Sequence, residues 1–149
     1  MRRVCFHSIL AAVVLVFAGI VQTAAAQSGG ERSAVLAANT EFYRAFREGD
    51  VAAMNVVWGR RGDIAVEHPS GWRLEGRQAV MHSWALLMRQ PPHITCDVQG
   101  VSFASGRATV YCNEQLNPGS VRMKNIFHRE NGAWKMIYHG PVPKDEVVS

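Results

Sequence analysis

The second half of the chain is punctuated as a meander. Strand candidates His93 to Phe103, Arg107 to Leu116, Ser120 to Glu130 and Ala133 to Gly140 are separated by "ASGR", "NPGS" and "ENGA". The Asn-Gly pair of the last turn favours a tight hairpin. A sheet of this kind needs one face covered, and the only segments free to cover it lie ahead of it. Helices first and a long meander afterwards predict an α+β domain, with three N-terminal helices packed on one face of a curved, mainly antiparallel sheet.

The covering helices are legible as periodicities. Val35, Asn39, Phe42 and Phe46 fall at i, i+4, i+7 and i+11 between Glu31 and Glu48, and Leu36 and Tyr43 widen that face. Gly49 ends the first helix, and Asp50 caps a short second one with Met54, Val57 and Trp58 inward. A third helix, Gly76 to Gln90, carries Val80, Ser83, Trp84, Leu87 and Met88 on one side, and "QPPH" breaks it. Between the second and third, Ile64, Val66 and His68 alternate along a short strand that Pro69 terminates. "PSGW" then turns the chain into a return strand from Trp72 to Leu74.

Ahead of this domain the pattern is that of an export signal. Arg2 and Arg3 precede an apolar run from Ile9 to Val21, followed by small residues in "QTAAAQ", the layout of a secretory signal peptide. The run is shorter than the ~18 to 20 residues a spanning helix needs. Residues 1–26 are therefore read as a signal peptide cut after Ala26, 27–33 as a flexible leader, 34–141 as the domain and 142–149 as a tail. The processed chain is expected to be exported, periplasmic or secreted, without a stable membrane anchor. Removing 26 of the 149 residues leaves 123, enough for one domain with one core. With Arg2 and Arg3 gone, 14 basic residues face 12 acidic ones, scattered and without aromatic interleaving. That distribution argues against a nucleic-acid partner.

Export changes how the cysteines are read. Cys96 and Cys112 sit in successive strand candidates. A disulfide between them is one reading in an oxidising compartment, and two small buried residues the other.

The turns also predict register. With Asn131 and Gly132 as a two-residue loop, Arg129 faces Trp134, Phe127 faces Met136 and Asn125 faces Tyr138. With Pro118 and Gly119 central in the preceding turn, Val121 faces Leu116, Met123 faces Glu114 and Asn125 faces Cys112. Alternation then places Cys112, Glu114, Met123, Asn125, Phe127, Met136 and Tyr138 on one face, and Lys124, His128, Lys135 and His139 on the other. The first face mixes apolar side chains with an amide, a carboxylate and a phenol. Buried unpaired, each polar group costs ~1 to 3 kcal/mol. They either satisfy one another or line a cavity for a small hydrophobic molecule, with Tyr43, Trp58, Trp72, Trp84, Glu114, Asn125, Phe127 and Tyr138 as its walls.

The order of "EFYRAFREGDVAAMNVVW", "VEHPSGWRLEGRQAV", the paired strands and "NIFHRENGAWKMIYH" resembles the nuclear transport factor 2-like superfamily, and within it the SnoaL-like group, from about Ala34 to Pro141. The resemblance implies a cone-shaped α+β barrel open to a small hydrophobic ligand, and often a homodimer built through the outer sheet face. That superfamily holds steroid delta-isomerases, polyketide cyclases and scytalone dehydratase beside many non-catalytic members. The isomerases use a tyrosine on the first helix, a carboxylate before a proline, and an acid two residues before an aromatic. The matching positions here are Phe42 with Tyr43 beside it, His68 before Pro69, and Asn125 before Phe127, so the carboxylate mechanism is not expected.

The replacements support other chemistry. A neutral His68 is suited to act as general base near neutral pH, and Asn125 to donate to a developing enolate oxygen. That pair would serve a lyase, isomerase or cyclase type of reaction needing no cofactor. The competing reading has His68 closing the turn before Pro69 by hydrogen bonding. No metal-ligand spacing joins the histidines, and neither a phosphate-binding glycine loop nor a nucleophile elbow is present in the sequence. Three functions stay open: a binding domain without turnover, a His68-dependent enzyme, and a subunit whose outer sheet face binds another protein.

Overall fold

The structure, a computed structural model, describes residues 9–60 and 62–146, with side chains from Ser28 onward. The proposed signal peptide falls largely outside this description: nothing is described of residues 1–8, and only helical backbone of 9–27. Helix α1 spans Ile9–Glu48, so residues 27–33, expected as a flexible leader, are helical. Contacts divide the chain between Ser33 and Ala34. Among the described residues no helix is long and apolar enough to cross a membrane.

The unit that begins at Ala34 is the expected α+β domain. Gly49 adopts φ +66° and stops α1. Asp50 then accepts the Ala53 N–H at 2.9 Å and starts α2, Val51–Val57. Strands β1 (Ala65–Glu67) and β2 (Arg73–Glu75) form a short hairpin before α3, Arg77–Leu87. Four longer strands follow: β3 (Thr95–Ala104), β4 (Arg107–Gln115), β5 (Ser120–Glu130) and β6 (Ala133–Pro141). The sheet order is β2-β1-β6-β5-β4-β3, antiparallel throughout except for β1 beside β6. It does not close on itself, and β2 and β3 form its edges.

Two registers differ from the sequence expectation. In β4–β5, Glu114 pairs with Val121, Cys112 with Met123 and Val110 with Asn125. The connection is the four-residue loop Leu116–Gly119, closed by Leu116 N–H to the Gly119 carbonyl at 2.8 Å, and the two-residue offset leaves every face as expected. In β5–β6, Phe127 pairs with Met136 as expected, but Ile126 pairs with Tyr138 and Asn125 with His139. Ile137 is an extra residue, a bulge that reverses the faces after it. It occurs where β6 changes partner: Met136 bridges to Trp58 and accepts the Gly59 N–H, whereas Tyr138 and His139 pair with β1.

The bulge corrects two assignments. His139, expected outside, is buried, and Tyr138, expected inside, lies on the outer face beside Glu67 and Arg73. Gly140 leaves room for the Tyr138 ring, which a Cβ there would strike. The tail, described as far as Glu146, crosses that outer face. Val142 donates to the Arg122 carbonyl, and Glu146 accepts from Tyr111 at 3.0 Å and from Lys124.

Trp84 is the centre of the core. Its ring meets Phe42 at 5.3 Å and Phe46 at 5.1 Å edge-on, and it also contacts His68 and His139. Helices α1 and α3 are thereby packed against the inner sheet face through one aromatic cluster, each such pair adding ~0.5 to 1.5 kcal/mol beyond area burial.

Candidate functional site

One helical turn of α1 places Asn39 and Tyr43 on the same stripe, facing the sheet. Opposite them stand Glu114 of β4, Asn125 of β5 and His139 of β6, all buried. Tyr43 donates to Glu114 Oε1 at 2.5 Å. The Asn125 amide nitrogen donates to Asn39 Oδ1 at 2.7 Å and to the Tyr43 hydroxyl at 3.2 Å. Its oxygen lies 2.7 Å from His139 Nδ1. Because both amide hydrogens are committed, Asn125 Oδ1 must accept, so Nδ1 of the neutral imidazole carries the proton. His139 Nε2 therefore presents a lone pair, 3.8 Å from Glu114 Oε1 and beyond hydrogen-bond reach of it.

The network is anchored at its far end by sulfur. Cys96 and Cys112 form a disulfide with Cα atoms 5.2 Å apart. The Asn39 amide nitrogen points at both sulfurs, at 3.6 and 3.7 Å.

Burial sets the charges. It raises the Glu114 carboxyl to about 7 against the opposing hydrogen bond from Tyr43. The Tyr43 hydroxyl is pushed well above its ordinary value by burial and then by Glu114. Burial holds His139 down at about 3, with His68 adding to the effect, and burial lowers His68 as well. Both imidazoles are thus neutral near pH 7.

Beside this network lies a cavity of about 200 Å³ lined by Phe46, His68, Pro69, Trp84, Leu87, Pro92, Ile94, Glu114, Leu116 and His139. His68 and Leu87 also line a second space, an apolar groove of about 560 Å³ formed with Ser70, Trp72, Leu74, Ala79, His82, Ser83 and Leu86. Trp72 stands 73% exposed at this groove, and Leu86 and Leu87 are exposed beside it. The turn before the groove is closed by backbone: His68 N–H donates to the Trp72 carbonyl and the His68 carbonyl accepts from Gly71, both at 2.8 Å. The His68 side chain instead reaches Ser83 Oγ on α3 at 3.0 Å.

The expected base, His68, and the expected wall residues thus separate. His68, Trp72, Trp84 and Glu114 line the cavity or the groove. Tyr43 belongs to the buried network, Trp58 and Phe127 to the solid core, and Tyr138 to the outer face. Asn125 is fully buried with its amide hydrogens used, which removes it as an oxyanion donor. Sequence reasoning missed Asn39, His139 and the Leu86–Leu87 rim. Asn39 carried a signal, a polar residue at an inward helical position, whereas His139 was hidden by the bulge.

The profile of the SnoaL-like domain matches residues 35–142. A curated relative, the F-box protein SKIP8 of Arabidopsis thaliana, is 28% identical over 110 residues, covering 71% of this chain and 48% of the relative. The chain thus spans about half the length of that relative. Among solved structures, a candidate dehydratase of the NTF2-like family from Streptomyces avermitilis is 27% identical, with a TM-score of 0.64, over 78% of this chain and 99% of the other. A candidate calcium/calmodulin-dependent protein kinase type II association domain from Thiobacillus denitrificans is 25% identical, with a TM-score of 0.62, over 72% and 94%. An NTF2-like protein of unknown function from Shewanella oneidensis, 9% identical over 74% and 97%, shares the fold with a TM-score of 0.64.

Proposed function

The chain belongs to the SnoaL-like domain family, and from that premise we propose that it binds one small hydrophobic molecule, entering by the groove between the β1–β2 hairpin and α3. The observation that carries this reading is the shared lining: His68 and Leu87 border both the apolar groove and the smaller cavity beside it. Apolar walls with a few convergent polar groups are the common form of small-molecule sites. We place the protein outside the cytoplasm, a reading supported by the charged and apolar leader and by the disulfide.

A non-reducing native mass spectrum of the processed chain from its exporting host tests this. One retained small molecule per chain is the expected result. An empty chain that also fails to take up an apolar fluorescent probe would sink the proposal.

A second reading, a lyase or isomerase with His68 as base, is favoured by one feature. The imidazole is neutral by burial and borders both spaces. Under this reading His68→Ala abolishes turnover while ligand affinity is retained; unchanged turnover would exclude it.

A further inference from the structure

The smaller cavity has a chemically distinct end. His139 and Glu114 are only 5% and 4% exposed, and both border the cavity. Asn125 fixes the proton of His139 on Nδ1, so what His139 offers the cavity is a single acceptor, Nε2. Glu114 Oε1 is 3.8 Å from Nε2, too far to satisfy it and close enough for one oxygen atom to lie within hydrogen-bond distance of both. The remaining lining includes Phe46, Trp84, Leu87, Ile94 and Leu116, and neither lysine nor arginine is part of it.

We propose that Nε2 of His139, with Glu114 beside it, is the recognition point for a hydroxyl group carried by an otherwise apolar, uncharged, single-ring molecule of the phenol or enol class. The hydroxyl donates to Nε2, and its oxygen lies beside the Glu114 carboxyl group. This rests on the ligand reading above and names the class of molecule that the same site takes. Size supports a single ring, since a dry cavity of ~150 Å³ takes up benzene and this one measures about 200 Å³. Charge excludes the anionic alternatives. A carboxylate or phosphate would meet a lone pair and a carboxyl group with no cation to offset it. An apolar ring without the hydroxyl would fill the space and leave Nε2 unpaired, the kind of loss by which polar sites reject their deoxy analogues.

The test uses the whole processed chain with its disulfide intact and three probes of similar size: phenol, toluene and benzoate. Titration calorimetry is expected to show phenol binding at one site per chain, at least about tenfold tighter than toluene, and benzoate weaker than phenol. In His139→Gln the preference for phenol disappears while toluene affinity is kept. A second measurement needs no variant: the ¹⁵N resonance of His139 Nε2, unprotonated in the free chain, shifts when phenol is added and stays in place with toluene. Equal binding of toluene and phenol with an unmoved Nε2 resonance overturns the proposal and leaves the hydrophobic-ligand reading standing. Tighter binding of benzoate overturns it as well. If neither phenol nor toluene binds, the single-ring proposal falls, and the broader hydrophobic-ligand reading is decided by the native mass spectrum and the apolar probe.

Discussion

Asn125 on β5 and His139 on β6 are paired across the sheet, and the amide oxygen of one accepts from Nδ1 of the other at 2.7 Å in the buried core. This contact decides which imidazole nitrogen faces the cavity. It also joins the helix side of the domain to the sheet, because the same amide reaches Asn39 and Tyr43 on α1.

Replacing Asn125 by leucine keeps the volume and removes every one of these bonds. His139 Nδ1–H and Asn39 Oδ1 are then buried without partners, and such groups cost ~1 to 3 kcal/mol each. Urea unfolding is expected to show a loss of about 3 kcal/mol. A change below ~0.5 kcal/mol would mean that the network contributes no net stability.

Glu114 and His139 act oppositely on stability between pH 4.5 and 6.5. Glu114, raised from 4.5 to about 7, is protonated in the folded chain where the unfolded chain has lost its proton, so its contribution falls as pH rises through that window. His139, lowered from 6.5 to about 3, stays neutral in the folded chain where the unfolded chain is protonated, so its contribution rises with pH. Glu114→Gln removes the first effect alone. Stability of that variant is expected to climb by about 2 kcal/mol from pH 4.5 to 6.5 relative to the parent, measured by urea unfolding at each pH. Parallel curves for the two proteins would show that Glu114 titrates as an ordinary carboxyl.

The disulfide joins residues 16 apart in sequence, and a loop of about that size contributes ~3 kcal/mol by restricting the unfolded chain. The Cys96→Ser, Cys112→Ser double variant is expected to lose that amount. Reductant should destabilise the parent and leave the variant unaffected. Equal sensitivity of both proteins to reductant would contradict the assignment.

Trp72 is exposed and lies against the groove, away from the core. Trp72→Ala should therefore change stability by less than ~0.5 kcal/mol while weakening an apolar fluorescent probe by roughly tenfold. Unaltered probe affinity would move the ligand site elsewhere.

Most of the fold was legible because its signals are local. Turn residues mark the hairpins, Gly49 and Asp50 mark the α1–α2 junction, and the Val35–Phe46 stripe marks the buried face of α1. The site was legible only in part. Cys112, Glu114, Met123, Asn125 and Phe127 could be assigned to the inner face because an error of two residues in register conserves alternation. His139 and Tyr138 could not, because a single extra residue at Ile137 exchanges them and "WKMIYHG" alternates plausibly in either phase. The bulge follows from a change of partner strand, a long-range event with no local signature. His68 illustrates the same division: its turn was readable, but its side chain is directed by Ser83 on α3, an element read separately.

The parallel pairing of β1 with β6 also has a kinetic meaning. Val66 waits for His139, near the other end of the chain, before it has a sheet to join. The β3–β6 meander and its hairpins close short loops, whereas this pairing closes a long one and is entropically the slower to form. The three-residue strands β1 and β2 sit at one margin of the sheet, so they are also the natural first segment to detach while the meander persists. Amide exchange should accordingly be fastest there. On this expectation the wall of the groove forms last and opens first, giving a route inward that leaves the β3–β6 meander in place.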